Sequence, residues 1–465
     1  MKIRREKDSL GEKEIPADAY YGVQTARAVE NFPISGLKPY PEFVDAYIYI
    51  KKAAAIVNSE LGVLDKRRAR AIIRAADEVL SGKFRDQFVV DVFQAGAGTS
   101  HNMNTNEVLA NRAIEFLGGK KGDYSIVHPN DHVNMAQSTN DSFPTAMRIS
   151  ILMKQRQLLP ELDKLITSFR RKAREFKNIL KSARTHLQDA VPITLGQEFG
   201  AYAATLSKGR SRISDASRRV EELNIGGTAA GTGLNSHPRY AAEMARTISA
   251  LTGLNLRKGA NLIELCQSTT DIADYSSSIK HLALDLNKIA NDLRLLSSGP
   301  TTGLAEIKLP PVQPGSSIMP GKVNPVICEM LNMVCYQVIG NDLTVSMASQ
   351  ASQLQLNVMM PGMIFAVLFS MQILTNSMRI LRERCIDGIK PRPERCRHYF
   401  EISQGLATVL NPIIGYSNAA EVVKEAEHTG ETILQVIRRK KLLSESEIKK
   451  LFAPSRLTKP GKIKR

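Results

Sequence analysis

From Ile272 to Leu296 the apolar side chains fall at alternating spacings of three and four: Ile272, Tyr275, Ile279, Leu282, Leu286, Ile289, Leu293 and Leu296. An α-helix brings such positions onto one face, and the stripe persists for about seven turns. The same rhythm runs through Phe199, Tyr202, Leu206, Ile213, Val220 and Leu223, with Gly209 and Ala216 at the missing beats, where a neighbouring helix can approach closely. A third stripe joins Leu158, Leu162, Leu165, Phe169, Ala173, Phe176 and Leu180, with Pro160 expected to kink the chain just before it. A fourth apolar helix is expected after Pro325. Helices of about 30 residues are about 45 Å long and pack side by side as an extended bundle. No strand-helix alternation appears, so the predicted fold class is all-α. Stripes this long and apolar need partners on more than one side, which predicts a homo-oligomer.

At 465 residues the chain exceeds one compact core. Residues 1–140 are rich in Gly, Pro, Asn and short elements, 141–396 carry the long helices, and 397–465 shorten into small helices with a basic tail; these are the expected domains. A composition 43% hydrophobic and 23% charged excludes a mainly disordered or collagen-like chain. The longest apolar run, Val358 to Ile373, is interrupted by Pro361 and Gln372, so no membrane partner is expected. The start, Met1 to Asp8, is dominated by charge and has no apolar stretch of a secretory leader. Cys266, Cys328, Cys335, Cys385 and Cys396 are odd in number and show no C-x-x-C spacing. They read as buried free thiols, and the chain as cytoplasmic. Of the net charge of +17, residues 438–465 supply nine, with eleven Lys or Arg against two Glu. With no Trp and 6% aromatics a base-stacking platform is hard to build, so this reads as a solvated tail, ending Lys459, Lys462, Lys464, Arg465, and not as a nucleic-acid site.

The segment Pro314-Gly315-Ser316-Ser317-Ile318-Met319-Pro320-Gly321-Lys322-Val323-Asn324-Pro325 is a loop by its Gly and Pro content. Two hydroxyls with Lys322 and Asn324 nearby can set a base beside a carbon and a cation beside a carboxylate. A linker accounts for the glycines and prolines but not for Ser-Ser, Lys and Asn together. Residue chemistry leaves both readings open. Ser138-Thr139-Asn140-Asp141, taken alone, reads as a turn or helix N-cap. His128 and His132 make a weak metal pair, because a spacing of four needs a helix and Pro129 sits inside it. The glycine-rich segment 226–233 follows a helix and not a strand, which argues against a dinucleotide loop and predicts a bend within the bundle.

GSSIMPGKVNP resembles the signature loop of the aspartase/fumarase superfamily of lyases. The resemblance spans nearly the whole chain, through PADAYYGVQT, FQAGAGTSHNMNTNEVLANR, HPNDHVNMAQSTND, ARTHLQDAVPITLGQE, GNDLTVSMASQASQLQLNVM and LNPIIGY. Its flanking motifs look like the aspartase and class II fumarase branch. The resemblance implies a three-domain fold whose central helices, 141–396 with the loop 315–325, join four copies in a twenty-helix core, each active site being built from three subunits. It implies a small dicarboxylate substrate and no organic cofactor or resident metal, with divalent-metal activation left open.

The chemistry it implies removes a proton next to a carboxylate and then expels an amine or water to give fumarate. Ser316 would be the base, its alkoxide tolerable only if backbone N–H groups and a cation stabilise it, with the carbanion spread into the carboxylate as an aci form. Lys322 and Asn324 would hold one carboxylate, and Ser317 would help through the loop backbone. Thr99, Ser138, Thr139 and Asn140 match positions that bind the other carboxylate and the leaving-group side; Thr185 and the catalytic His186 match a substrate-contacting pair. His128, Asn130 and Asp131 resemble a secondary anion site. GAGTS, THLQDAVP and NLIE look like aspartases more than fumarases, so the expected reaction is loss of ammonia from L-aspartate, with fumarase the alternative and a silent lyase-like binding protein a remote one. Ala183 stands where many members have Gly, and Met360 where many aspartases have Glu.

Overall fold

The computed structural model describes residues 2–461, so Lys462, Lys464 and Arg465 of the basic tail lie outside the described residues. The chain opens on an antiparallel hairpin, β1 (Ile3–Asp8) and β2 (Gly11–Pro16), followed by α1 (Val23–Asn31), α2 (Pro41–Glu60), α3 (Lys66–Leu80) and α4 (Thr99–Phe116). Local chemistry marks the starts: Pro41 opens α2, and the Asp65 carboxylate accepts the N–H groups of Arg67 and Arg68 ahead of α3. Val44, Ile48, Ile72, Val79, Val108 and Ile114 form the core between α2, α3 and α4.

Next come α5 (Thr139–Glu175), β3 (Leu180–Thr185), β4 (Gln188–Thr194), α6 (Leu195–Ser217), β5 (Glu222–Leu223), α7 (Tyr240–Thr252), β6 (Arg257–Lys258), α8 (Leu262–Gln267), α9 (Thr270–Leu296), α10 (Val326–Gln350) and α11 (Met360–Arg384). Short helices from Pro393 onward surround Leu406, Leu410, Val422, Val436 and Ile437. The strands form only two-stranded pairs among the described residues, so the all-α class stands. The chain divides into two compact units, one comprising Met1–Leu159, Ser211–Ala283 and Tyr336–Thr375, the other Pro160–Arg210, Leu284–Cys335 and Asn376–Arg465. Each of α5, α6, α9, α10 and α11 gives a stretch to both.

Every member of the Ile272–Leu296 stripe is buried. The third stripe belongs to a helix longer than expected. α5 runs from Thr139 through Pro144 and Pro160 to Glu175. Pro144 lacks the N–H that would bond the Asn140 carbonyl, and the Asn224 side-chain amide donates to that oxygen instead, at 3.3 Å. Leu180 and Leu223 keep the helical beat but lie in short strands. Pro361 opens α11 and does not interrupt it. By length and composition Met360–Gly388 could cross a membrane, yet 61% of its apolar window is buried inside the fold. The cysteines are buried free thiols, as expected.

Candidate active site

Pro310, Pro311, Pro314, Pro320 and Pro325 keep the segment ahead of α10 out of helix. Gly315 closes the loop: its N–H donates to the Lys322 carbonyl at 2.7 Å and its own carbonyl accepts the Asn324 amide at 2.8 Å. A Cβ there would lie 2.6 Å from that Lys322 oxygen, so only glycine fits. Within the loop Ser316 Oγ accepts two backbone N–H groups, from Ile318 at 3.2 Å and Met319 at 3.0 Å. Two fixed donors aimed at one hydroxyl oxygen stabilise its alkoxide, which is what serine base chemistry needs. The donors are those of Ile318 and Met319, not of Ser317. Ser317 and Lys322 are exposed, and part of the Asn324 amide is spent inside the loop.

Thr185 and His186 stand on the β3–β4 hairpin. Thr185 pairs with Gln188, leaving His186 and Leu187 as a two-residue turn with φ of 55° and 60°. Two-residue hairpins favour this left-handed geometry, usually with Asn-Gly. Here residues with a Cβ accept the strain, and an imidazole is carried at the tip. Ala183 falls at a register shift between Ser182 and Arg184, a bulge in the hairpin. Glu306, fully buried, braces the hairpin through Lys181 at 2.5 Å and Arg184 at 2.8 Å, and Lys181 also reaches Glu198 at 2.9 Å. Burial alone would depress the Lys181 ammonium; Glu198 and Glu306 outweigh it, and its pKa is raised.

Gly96, Ala97 and Gly98 all have positive φ and turn the chain into α4, with Thr99 at its first position and exposed. A Cβ on Gly98 would lie 1.9 Å from the Phe143 ring. Ser138 caps α5: its Oγ accepts the Asn140 N–H at 3.2 Å, and its own N–H donates to Asp141 Oδ1 at 3.0 Å. The Asn140 amide donates to the Ala229 carbonyl at 2.8 Å, and Asp141 Oδ2 accepts the N–H groups of Gly226 and Thr228, both at 2.9 Å. Burial pushes the Asp141 carboxyl up to about 7 against the pull of these donors. The glycine-rich segment therefore clasps the start of α5 and, following β5, is not a bend within the bundle.

Sequence reading passed over Lys51. It is fully buried in α2, and its Nζ donates to Asn102 Oδ1 at 2.7 Å, Asn134 Oδ1 at 2.8 Å and Gln137 Oε1 at 2.9 Å. Asn102 in turn donates to Thr139 Oγ1 at 3.1 Å. Asn102, Asn134 and Gln137, each in a polar motif, were the available signal.

Thr99 and Ser100 share a cavity of about 470 Å³ with Lys7, Arg27, His128 and Asn130; Asp131 does not line it. Pro129 opens a short helical turn, Pro129–Val133, which brings the His132 N–H to the His128 carbonyl at 3.1 Å, although His128 itself is extended. The Nδ1 atoms are engaged nonetheless: that of His128 accepts the N–H groups of Asn130 and Asp131, and that of His132 accepts the His128 N–H at 2.7 Å. Thr99, His128, Asn130, Asp131, Ser138, Thr139 and Asn140 belong to one unit, and Thr185, His186, Ser316, Ser317, Lys322 and Asn324 to the other.

Two family descriptions match this chain, Lyase over residues 11–340 and Fumarase C C-terminus over residues 406–459. The aspartate ammonia-lyase of a Bacillus species is 49% identical over 459 residues, covering 99% of this chain and 98% of its own length. That of Bacillus subtilis strain 168 is 48% identical, with coverages of 98% and 96%. Among solved structures, the fumarate lyase:delta crystallin of Brucella melitensis bound to cobalt superposes with a TM-score of 0.96 at 51% identity, covering 99% of this chain and 100% of that one. The class II fumarase of Schistosoma mansoni gives 0.94 at 37% identity, with coverages of 97% and 98%.

Proposed function

This chain belongs to the lyase family of the aspartases and class II fumarases, and on that premise we propose that it is a carbon–nitrogen lyase that reversibly converts L-aspartate to fumarate and ammonia. The two N–H groups on Ser316 Oγ carry the mechanistic part of this reading. Ser316, as alkoxide, takes the proton from the carbon next to one carboxylate; the electron pair spreads into that carboxylate and then forms the double bond as the C–N bond breaks. Ammonia departs with the pair of the broken bond, and the proton stays on Ser316 until solvent collects it. Because the amine arrives protonated, no strong acid is required. Thr99, Ser138 and Thr139 receive the carboxylate that takes up charge, Lys322 and Asn324 the other, with Thr185 and His186 beside the substrate. Identity favours aspartase over fumarase, 49% against 37% for the relatives above. Following the absorbance of the fumarate double bond with L-aspartate and L-malate in parallel tests this; faster turnover of L-malate would reverse it.

The active form is a homotetramer with sites shared among three copies, and residues 1–140, 141–396 and 397–465 are its domains. Along α10, Met333, Tyr336, Leu343 and Met347 are exposed at helical spacing with Gly340 on the intervening beat, an apolar seam that a single chain leaves open. Thr99, His186 and the Ser316 loop are open to solvent in one chain, while a serine alkoxide needs a water-excluding surround that neighbouring copies supply. Mixing Ser316→Ala chains with His186→Ala chains under reassembly conditions should restore part of the lost activity, since hybrid tetramers contain sites free of both changes. Fully active monomers in light scattering would end this reading. The buried free thiols fit a reducing compartment, so we place the enzyme in the cytoplasm.

A further inference from the structure

Lys51 has no carboxylate among its hydrogen-bond partners. Its three N–H groups meet three side-chain amide oxygens, of Asn102, Asn134 and Gln137, between 2.7 and 2.9 Å. Only the ammonium has a proton for each of these oxygens; a neutral amine would turn a lone pair toward one of them. The other groups facing it are the Asp141 carboxyl on α5, the His101 imidazole on α4 and the Tyr47 ring, whose centroid lies 5.8 Å away. Burial pulls Lys51 down to about 7 and His101 to about 3, so His101 brings no second charge at neutral pH. A buried cation with no carboxylate in hydrogen-bond contact is costly, and a purely structural site would be better served by an apolar side chain.

The direction of the next bond suggests what the charge does. Because Asn102 Oδ1 is held by Lys51, its Nδ2 is fixed as donor, and it donates to Thr139 Oγ1 at 3.1 Å and to Asn134 Oδ1 at 3.2 Å. With its oxygen occupied as acceptor, the Thr139 hydroxyl has its own proton to give away. We infer that Lys51 is a positioning residue that, through Asn102, fixes the Thr139 hydroxyl as a donor to the substrate carboxylate and brings a buried positive charge to bear on it. The chain of like-directed bonds, ammonium to amide to hydroxyl, polarises each successive donor. This rests on the reading of Thr139 as a substrate contact.

A double-mutant cycle in the full chain tests it, with KM and kcat for L-aspartate and the inhibition constant of succinate, a non-reacting dicarboxylate, as readouts. Thr139→Val and Lys51→Met are each expected to weaken succinate by about 10- to 100-fold, the range for a hydrogen bond to a charged group. The double variant should be no weaker than Thr139→Val alone, whereas Lys51→Met combined with Lys322→Met should multiply. Asn102→Leu, which leaves Lys51 two of its acceptors, should show the same non-additivity with Thr139→Val and replaces Lys51→Met if that variant does not fold. Independent, multiplying effects of Lys51 or Asn102 with Thr139 would overturn the inference while leaving the substrate reading intact. An unchanged succinate constant in Thr139→Val would remove the substrate reading, and this inference with it.

Discussion

Ser316→Ala is expected to lower turnover of L-aspartate by about three orders of magnitude or more while KM moves little. On the proposed mechanism the substitution removes the atom that takes the proton, an interaction made only as the C–H bond breaks, and leaves Lys322, Thr99 and Thr139 to hold the carboxylates. The loop should survive. Its closure depends on Gly315 N–H to the Lys322 carbonyl at 2.7 Å and on the Asn324 amide to the Gly315 carbonyl at 2.8 Å, neither of which involves Ser316. The Ile318 and Met319 N–H groups that lose Oγ lie in an exposed loop and can turn to water, so the stability cost is small. Steady-state kinetics with circular dichroism separates the two effects. If Ser316→Ala kept near-normal turnover with an intact fold, proton abstraction would belong to another group, and His186 would be the first to replace.

Glu306→Ala should cost about 3–5 kcal/mol of folding stability, the largest effect expected of any single change in the hairpin's support. The carboxylate is fully buried between Lys181 and Arg184, and Lys181 is itself only 2% exposed. Removing it takes from Arg184 the carboxylate it meets and leaves Lys181, which cannot reach water, with Glu198 alone. Glu198→Gln is the control: Glu198 also pairs with Lys181 but is partly solvent-accessible, so its loss should cost no more than about 1 kcal/mol. Thermal and denaturant unfolding measure both. Equal, small losses would mean that the hairpin holds its place without Glu306.

Much of this architecture was legible because it repeats. A stripe such as Ile272 to Leu296 shows its buried face through period alone, and all eight positions are buried. The boundaries were harder to read, for a reason visible at Leu180 and Leu223: both continue the beat past the helix end, where a two-stranded pair holds Leu223 fully buried and Leu180 partly so. The candidate site residues come from motifs, but the groups that contact them could not be read there. The donors on Ser316 Oγ are main-chain groups that every residue has, placed by the turn at Ile318 and Met319. Lys51 and Lys52 are adjacent and chemically identical, yet one is fully buried among amides while the other pairs with Asp77 at 2.5 Å. Only the packing of α2 against α4 and α5 tells them apart.

The turn at His186 and Leu187 also governs how this region can change over evolutionary time. Loops are ordinarily where insertions and deletions accumulate, because added length costs little. This one has no slack. Two residues in left-handed conformation are the whole connection, and one more would shift β4 against β3 by a step and turn each β4 side chain to the opposite face. Point substitution is the accessible route to variation at this tip, and variation in length is closed to it. Engineering that seeks a different substrate here should change the identities of Thr185, His186 and Leu187 and hold the count fixed.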